Sequence, residues 1–151
     1  MPERWRPHAT VAAVICDDDG RFLMVEERDS RTGLSVLNQP AGHLEQGETL
    51  IDAVEREVLE ETRWAVTTTG YLGVARYESP NGSTYLRHGF VCRPEKEMPE
   101  RSLDAGIIAV HWMTQDQLTH STIRLRSPLV LRAVDLFLSG AVAPLSFVGD
   151  G

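Results

Sequence analysis

The segment Thr49–Thr62 constrains this chain most, because its apolar residues recur at helical spacing while its carboxylates share their face. At about 100° per residue, with Glu57 at zero, Leu50 falls at ~20°, Ala53 at ~−40°, Val54 at ~60° and Val58 at ~100°. That stripe has to face a core. Glu61 falls at ~40° and Glu60 at ~−60°, so Glu57, Glu60 and Glu61 hold the C-terminal end of a face whose N-terminal end is apolar. Moving an unpaired carboxylate toward a low-dielectric interior is costly, and like charges held together repel. The C-terminal end of a helix is also the wrong end for anions. Something positive must offset this. Arg56 can neutralise one carboxylate and Arg63 another. A divalent cation neutralises the cluster more completely, and all-oxygen ligands favour Mg²⁺, Mn²⁺ or Ca²⁺ over Zn²⁺. The competing reading is a solvated acidic face, and it suits Asp52 at ~−140° and Glu55 at ~160°.

The charge of the whole chain follows from this segment. Fifteen Lys+Arg stand against 22 Asp+Glu, a formal net charge of −7. Gly42–Trp64 alone holds seven of those acids and two of the arginines. Such a balance argues against a nucleic-acid polymer as partner. It is better read as a cluster that needs divalent cations before an anionic substrate can approach. With 151 residues, 42% of them hydrophobic, the chain can bury a core, and one domain over 1–151 is expected. No apolar run approaches the ~20 residues of a membrane span. The opening Met1-Pro2-Glu3-Arg4-Trp5-Arg6-Pro7 lacks the apolar stretch of a signal peptide. Cys16 and Cys92 lie in apolar runs and read as buried thiols in a reducing compartment. A cytoplasmic monomer with no membrane partner is the expectation.

Around the helix the chain reads as mixed elements. Ala9–Cys16 and Phe22–Val25 are apolar, and Asp17-Asp18-Asp19-Gly20-Arg21 between them predicts a hairpin. The acidic triplet reads as a solvated turn. Arg28–Gly33 is a polar loop, and Ser35–Asn38 a short strand stopped by Pro40. Val66–Tyr77 and Tyr85–Cys92 are strands joined by a turn at Ser79–Ser83. A polar loop follows over Arg93–Asp104, then a strand over Ile107–Met113. Thr114 caps a short helix through Leu118, and Ser127-Pro128 opens a last helix that stops near Gly140. The order lacks a regular βαβ alternation. An α+β fold is expected, with a mixed β-sheet covered by α-helices.

Gly42, five residues, Glu48, seven residues, then Arg56-Glu57-Val58-Leu59-Glu60-Glu61 resembles the Nudix box. The pattern ends Gly-apolar, and Arg63-Trp64 stands there instead, so one position departs. Within the family the chain is similar to the phosphatase NudJ group. That similarity rests on Pro7–Ala12, Phe22–Glu27, Asn38–Glu45, Leu125–Val130, Pro144-Leu145 and Gly149-Asp150. The resemblance implies a mixed sheet sandwiched between helices. It implies that Glu57, Glu60 and Glu61 bind Mg²⁺ (or Mn²⁺), directly or through water, joined by the backbone carbonyl of Ala41. It implies that Glu48 and Arg56 brace the loop against the helix.

Cleavage of a pyrophosphate bond by water is the chemistry implied, with a metal to acidify water and neutralise phosphate oxygens. The base is expected to be Glu60 or Glu61. The other option is a loop carboxylate among Glu95, Glu97, Glu100 and Asp104, weakened because Gly106 stands where a second acid is usual. Arg63 in a left-handed position costs about 1 kcal/mol, which a side-chain shift can absorb, so fold and metal site should survive. Arg28, Arg87 and Arg126 are candidate phosphate or base contacts, since the guanidinium fork can hold two oxygens; each also reads as an exposed solubilising residue. His43 can line the pocket, and the five histidines show no zinc spacing. Phe22, Tyr77, Tyr85 and Trp112 can stack on a base or pack a core. The NudJ group implies a small-molecule substrate: nucleoside tri- and diphosphates or hydroxymethylpyrimidine pyrophosphate, with phosphate released. Two alternatives stay open. One is a pyrophosphatase for ADP-ribose, dinucleoside polyphosphates or oxidised nucleoside triphosphates. The other is a catalytically weak nucleotide sensor.

Overall fold

The computed structural model describes residues 1–151. Eight strands form two mixed four-stranded sheets, accompanied by three α-helices and a short 3₁₀ turn at Leu145–Phe147. The first sheet has the order β4 (Ala41–His43), β1 (His8–Ile15), β6 (Thr84–Glu97), β5 (Trp64–Glu78). The second has the order β7 (Ile107–Thr114), β2 (Arg21–Arg28), β3 (Ser35–Asn38), β8 (Arg124–Leu125). In each, one pair is parallel, β1 with β6 and β3 with β8, and the other pairs are antiparallel. The α+β expectation holds, with the strands divided between two sheets.

The turn at Asp17–Arg21 forms as expected: Asp17 Oδ1 accepts from the backbone N–H of Asp19 and of Arg21, and Gly20 takes φ 75°. The hairpin does not. Only a single bridge, Cys16 to Phe22, links β1 with β2, and the two strands then part into different sheets. The reason lies in their residues. Val11–Ile15 and Phe22–Val25 are buried without alternation, so both faces of each strand need cover, which a two-stranded ribbon cannot supply.

Helices provide that cover on both sides. Helix α1 (Leu50–Thr62) packs Ala53, Val54 and Val58 against Val11, Ala13, Ile15, Leu23, Phe90 and Cys92. Helix α3 (Leu129–Leu138), with Leu118 of α2 (Gln115–Thr119), packs against Val14, Phe22, Met24, Leu37 and Leu72. Alternate residues of β1 therefore serve opposite cores. Thr49 and Asp52 form a reciprocal capping box at the start of α1. Thr114 and Gln117 do the same for α2. Strand β6 runs on to Glu97. Glu95 and Glu97 thus sit on a strand, and the loop expected from Arg93 narrows to the residues between β6 and β7.

Candidate active site

Helix α1 points Glu57 and Glu61 at strand β4, which leads out of β3 through Gln39-Pro40. Glu61 is buried, with 8% exposure, and Glu57 nearly so; Glu60, with 35% of its side chain exposed, sits at the rim. The backbone N–H of Ala41 donates to Glu61 Oε1 at 2.8 Å. The Glu57 carboxylate lies against Gly42, where any added Cβ would collide with it. Glycine at 42 is thus a requirement of this contact.

Arg56 gathers the cluster. Its Nε and Nη2 donate to the two oxygens of Glu48 at 2.9 and 2.7 Å, a forked pair. Nη1 donates to Glu57 at 2.8 Å and Glu60 at 3.2 Å, and Nη2 also to the carbonyl of His43 at 3.1 Å. Glu48 in turn accepts the N–H of Glu45. The hydrogen bonds from Arg56 hold the Glu48 carboxyl below its ordinary range and, with burial opposing them, raise the guanidinium's own pKa.

Glu61 is different. Burial pushes its pKa up to about 8 against the help of the Ala41 N–H, and the charges of Glu27, Glu57 and Asp104 add to the rise. Burial likewise raises Glu57, with Arg56 opposing. The structure therefore holds a buried carboxylate whose one bonded partner is an amide. No three His, Cys, Asp or Glu side chains converge on a common point. The donor set is nonetheless all oxygen and short of positive charge, which fits a hard divalent cation. Glu55, read from periodicity as solvated, instead accepts from the backbone and hydroxyl of Thr68 and ties α1 to β5. Asp52 is exposed, as expected, within the capping box.

Ala41, Gly42 and His43 also line a cleft of about 250 Å³ that opens where the two sheets meet. Arg87 and Arg126 reach it, with Glu27, Asn38, Tyr77 and Tyr85. Arg87 is largely buried and has no carboxylate within ion-pair distance; its Nη2 donates to Asn38 Oδ1 at 2.8 Å and Gln39 Oε1 at 3.0 Å. Burial lowers its pKa to about 10. Arg126 pairs with Glu27 at 3.1 Å. His43 has its pKa lowered by burial first and then by His8.

Other candidates are placed elsewhere. The Arg28 guanidinium donates to the carbonyl of Gly33 at 2.7 Å and does not line the cleft. A strand-end position left its direction open in the sequence. Phe22 packs edge-on to Phe137 and Trp112 to Trp64, so both serve cores. Glu95 pairs with Arg93 on the exposed face of β6, Glu97 and Glu100 are exposed, and Asp104 alone of the four bears on Glu57 and Glu61. Its backbone N–H donates to the carbonyl of Glu60 at 3.1 Å. Arg63 keeps the left-handed cap, at φ 66°, and its Nε is buried without a partner; it forms no ion pair with the cluster. Glu27 was missed. It ends an apolar strand, and only the pairing of β2 with β3 brings it beside Asn38.

The NUDIX domain family matches residues 6–134, and the chain belongs to it. It is 35% identical over 146 residues to the phosphatase NudJ of Escherichia coli strain K12, covering 97% of this chain and 93% of that protein. A NUDIX hydrolase from Nitrosomonas europaea shares 38% identity and a TM-score of 0.91 over 97% of this chain and 98% of its own. The MutT protein from Methanosarcina mazei Go1 shares the fold at 24% identity and a TM-score of 0.67, over 91% and 95%. The chain is thus an enzyme, a hydrolase of the Nudix pyrophosphohydrolase and phosphatase class. Members of that family act on small-molecule phosphate substrates and generally use divalent metals. No helix is long and apolar enough to cross a membrane.

Proposed function

We propose that residues 1–151 act as one Nudix domain that cleaves pyrophosphate bonds of nucleoside tri- and diphosphates, and of hydroxymethylpyrimidine pyrophosphate, releasing phosphate. One observation carries this reading. The strand Ala41–His43 lines the cleft on one side and contacts Glu57 and Glu61 on the other. The similarity to NudJ, a phosphatase by name, supports phosphate as the product.

Glu57, Glu60 and Glu61, with the carbonyl of Ala41, are the groups that would hold Mg²⁺ or Mn²⁺. A divalent cation, when bound, neutralises phosphate oxygens and acidifies water. Glu48 and Arg56 position the other carboxylates, because Arg56 bonds Glu48, Glu57, Glu60 and the His43 carbonyl at once. Arg87 and Arg126 receive phosphate oxygens and offset the charge that develops on them. His43, neutral near pH 7 because its pKa is lowered, donates or accepts a hydrogen bond without adding charge. Glu60 or Glu61 takes the proton from the attacking water. Asp104 is the second candidate base, supported by its bearing on both Glu57 and Glu61.

Incubation with a nucleotide panel and Mg²⁺, with products identified by mass, tests the reading. Orthophosphate is the expected product. Nucleoside monophosphate with pyrophosphate, or a ribose phosphate, would replace the phosphatase with a pyrophosphatase for ADP-ribose, dinucleoside polyphosphates or oxidised nucleoside triphosphates. Binding without turnover would leave a nucleotide sensor. Glu57→Gln and Glu60→Gln should each lower kcat by at least about 100-fold with an unchanged circular dichroism spectrum. Full activity in both variants would remove the assigned site.

A further inference from the structure

The active cleft does not end at Arg126. A second concavity of about 200 Å³ adjoins it, and the two share Tyr77, Ser79, Tyr85 and Arg126. Tyr77 and Tyr85 are direct partners in the β5–β6 ladder, so their rings project from one face and form the neck between the compartments. The outer compartment is lined by Arg31, Arg124 and Arg126 against a single carboxylate, Asp29.

These arginines have little to neutralise them. Neither Arg31 nor Arg124 has a carboxylate partner, and the one ion pair of Arg126 is with Glu27 on the inner side. Asp29 accepts the backbone N–H of Arg31 at 2.9 Å, so that bond is made to the main chain and not to the guanidinium. It holds the Asp29 carboxyl below its ordinary range, with the hydroxyl of Thr32 and the charges of Arg126 and Arg31 adding to the effect. In a chain of net charge −7, arginines left unpaired in one concavity make a local anion site at the far end of the catalytic cleft.

We infer that this outer compartment is a second phosphate subsite, and that the enzyme favours substrates carrying a phosphate monoester on the end remote from the scissile pyrophosphate. The orientation of the substrate rests on the proposed reading of the inner cleft. The guanidinium forks of Arg31 and Arg124 hold the remote phosphate, while the neck tyrosines flank the part of the substrate that joins its two ends.

The test compares ADP with adenosine 3′-phosphate 5′-diphosphate in the wild type and in the Arg31→Gln/Arg124→Gln double variant, whose changes lie on exposed side chains. The wild type should show a KM about tenfold lower for the bis-phosphorylated substrate, and the gap should shrink as ionic strength rises. The double variant should lose the gap and keep its ADP kinetics. Equal KM values in the wild type, or a gap retained in the double variant, would overturn the inference. Calorimetric titration of the metal-free protein with AMP and with adenosine 3′,5′-bisphosphate separates it from the catalytic reading. If no nucleotide is turned over but the extra phosphate tightens binding through Arg31 and Arg124, the subsite stands and the proposed reaction falls. If ADP is turned over and the extra phosphate tightens nothing, the subsite falls alone.

Discussion

A β-carbon at Gly42 would land on the Glu57 carboxylate, so Gly42→Ala must push that side chain out of its bonds with Arg56. A displacement near 1 Å at a reacting centre can cost about 100-fold in rate. A kcat loss of that order is expected, with the fold retained; steady-state kinetics beside a melting curve checks it. His88 gives a residue-level prediction away from the chemistry. Its Nδ1 lies 2.8 Å from the Tyr71 hydroxyl, and burial lowers its pKa below the ordinary 6.5. The unfolded chain therefore takes up the proton first. Stability from His88 is complete above about pH 6.5 and is lost as pH falls toward the lowered folded value. His88→Gln should flatten the acid side of a plot of unfolding midpoint against pH, and an unchanged slope would contradict this. At this scale the sequence was informative where a residue type had one use. Gly42, Glu57 and Arg56 were legible from spacing, while Arg28 and Arg87 looked alike. Only the meeting of the two sheets lets Arg87 of β6 reach across to Asn38 and Gln39, while Arg28 stays on the Gly33 carbonyl.

Helix α1 shows how local rules and tertiary contacts divide the work. Its start is set by Thr49 and Asp52, each accepting the other's backbone N–H. Thr49→Ala should cost about 1 kcal/mol and lower Tm by about 2–4 °C, as measured by calorimetry. Its end is less favourable, since Arg63 occupies the left-handed region and buries an unpaired Nε. Arg63→Gly removes both penalties and should raise stability by about 1 kcal/mol; a loss of stability would mean that the arginine stem packs better than its geometry suggests. The 3.6-residue period located the core stripe, and it placed Glu55 opposite because it is blind to β5, which folds over that side. The same limit governs β1 and β2. The Asp-Gly turn was legible, and the parting of the strands followed from burial on both of their faces, a property of the whole packing.

On the scale of the molecule, Gly42–Trp64 concentrates most of the excess negative charge beside the cleft, where Glu27 and Asp104 add to it. Relief of that repulsion by a cation should appear as stability. Mg²⁺ at about 100 times its Kd should contribute ~2.7 kcal/mol. A chelator should abolish turnover and lower Tm together, with both restored by Mg²⁺. The α+β class and the acidic face of α1 were legible in the sequence because each rests on short-range pattern, whereas the division into two sheets rests on contacts between distant residues. That division has a mechanical consequence. One wall of the cleft, with Thr10, Tyr85 and Arg87, belongs to the first sheet, and Glu27 and Asn38 belong to the second. A lone bridge, Cys16 to Phe22, joins the strand ladders, and across the cleft the walls are tied by side-chain bonds such as Arg87 to Asn38. The hinge between the walls is a hydrophobic one: Leu23 packs with Val11, Ala13 and Phe90 on one side and Val14 and Leu72 with Met24 and Leu37 on the other, so the width of the cleft is set by side-chain packing and not by a continuous ladder.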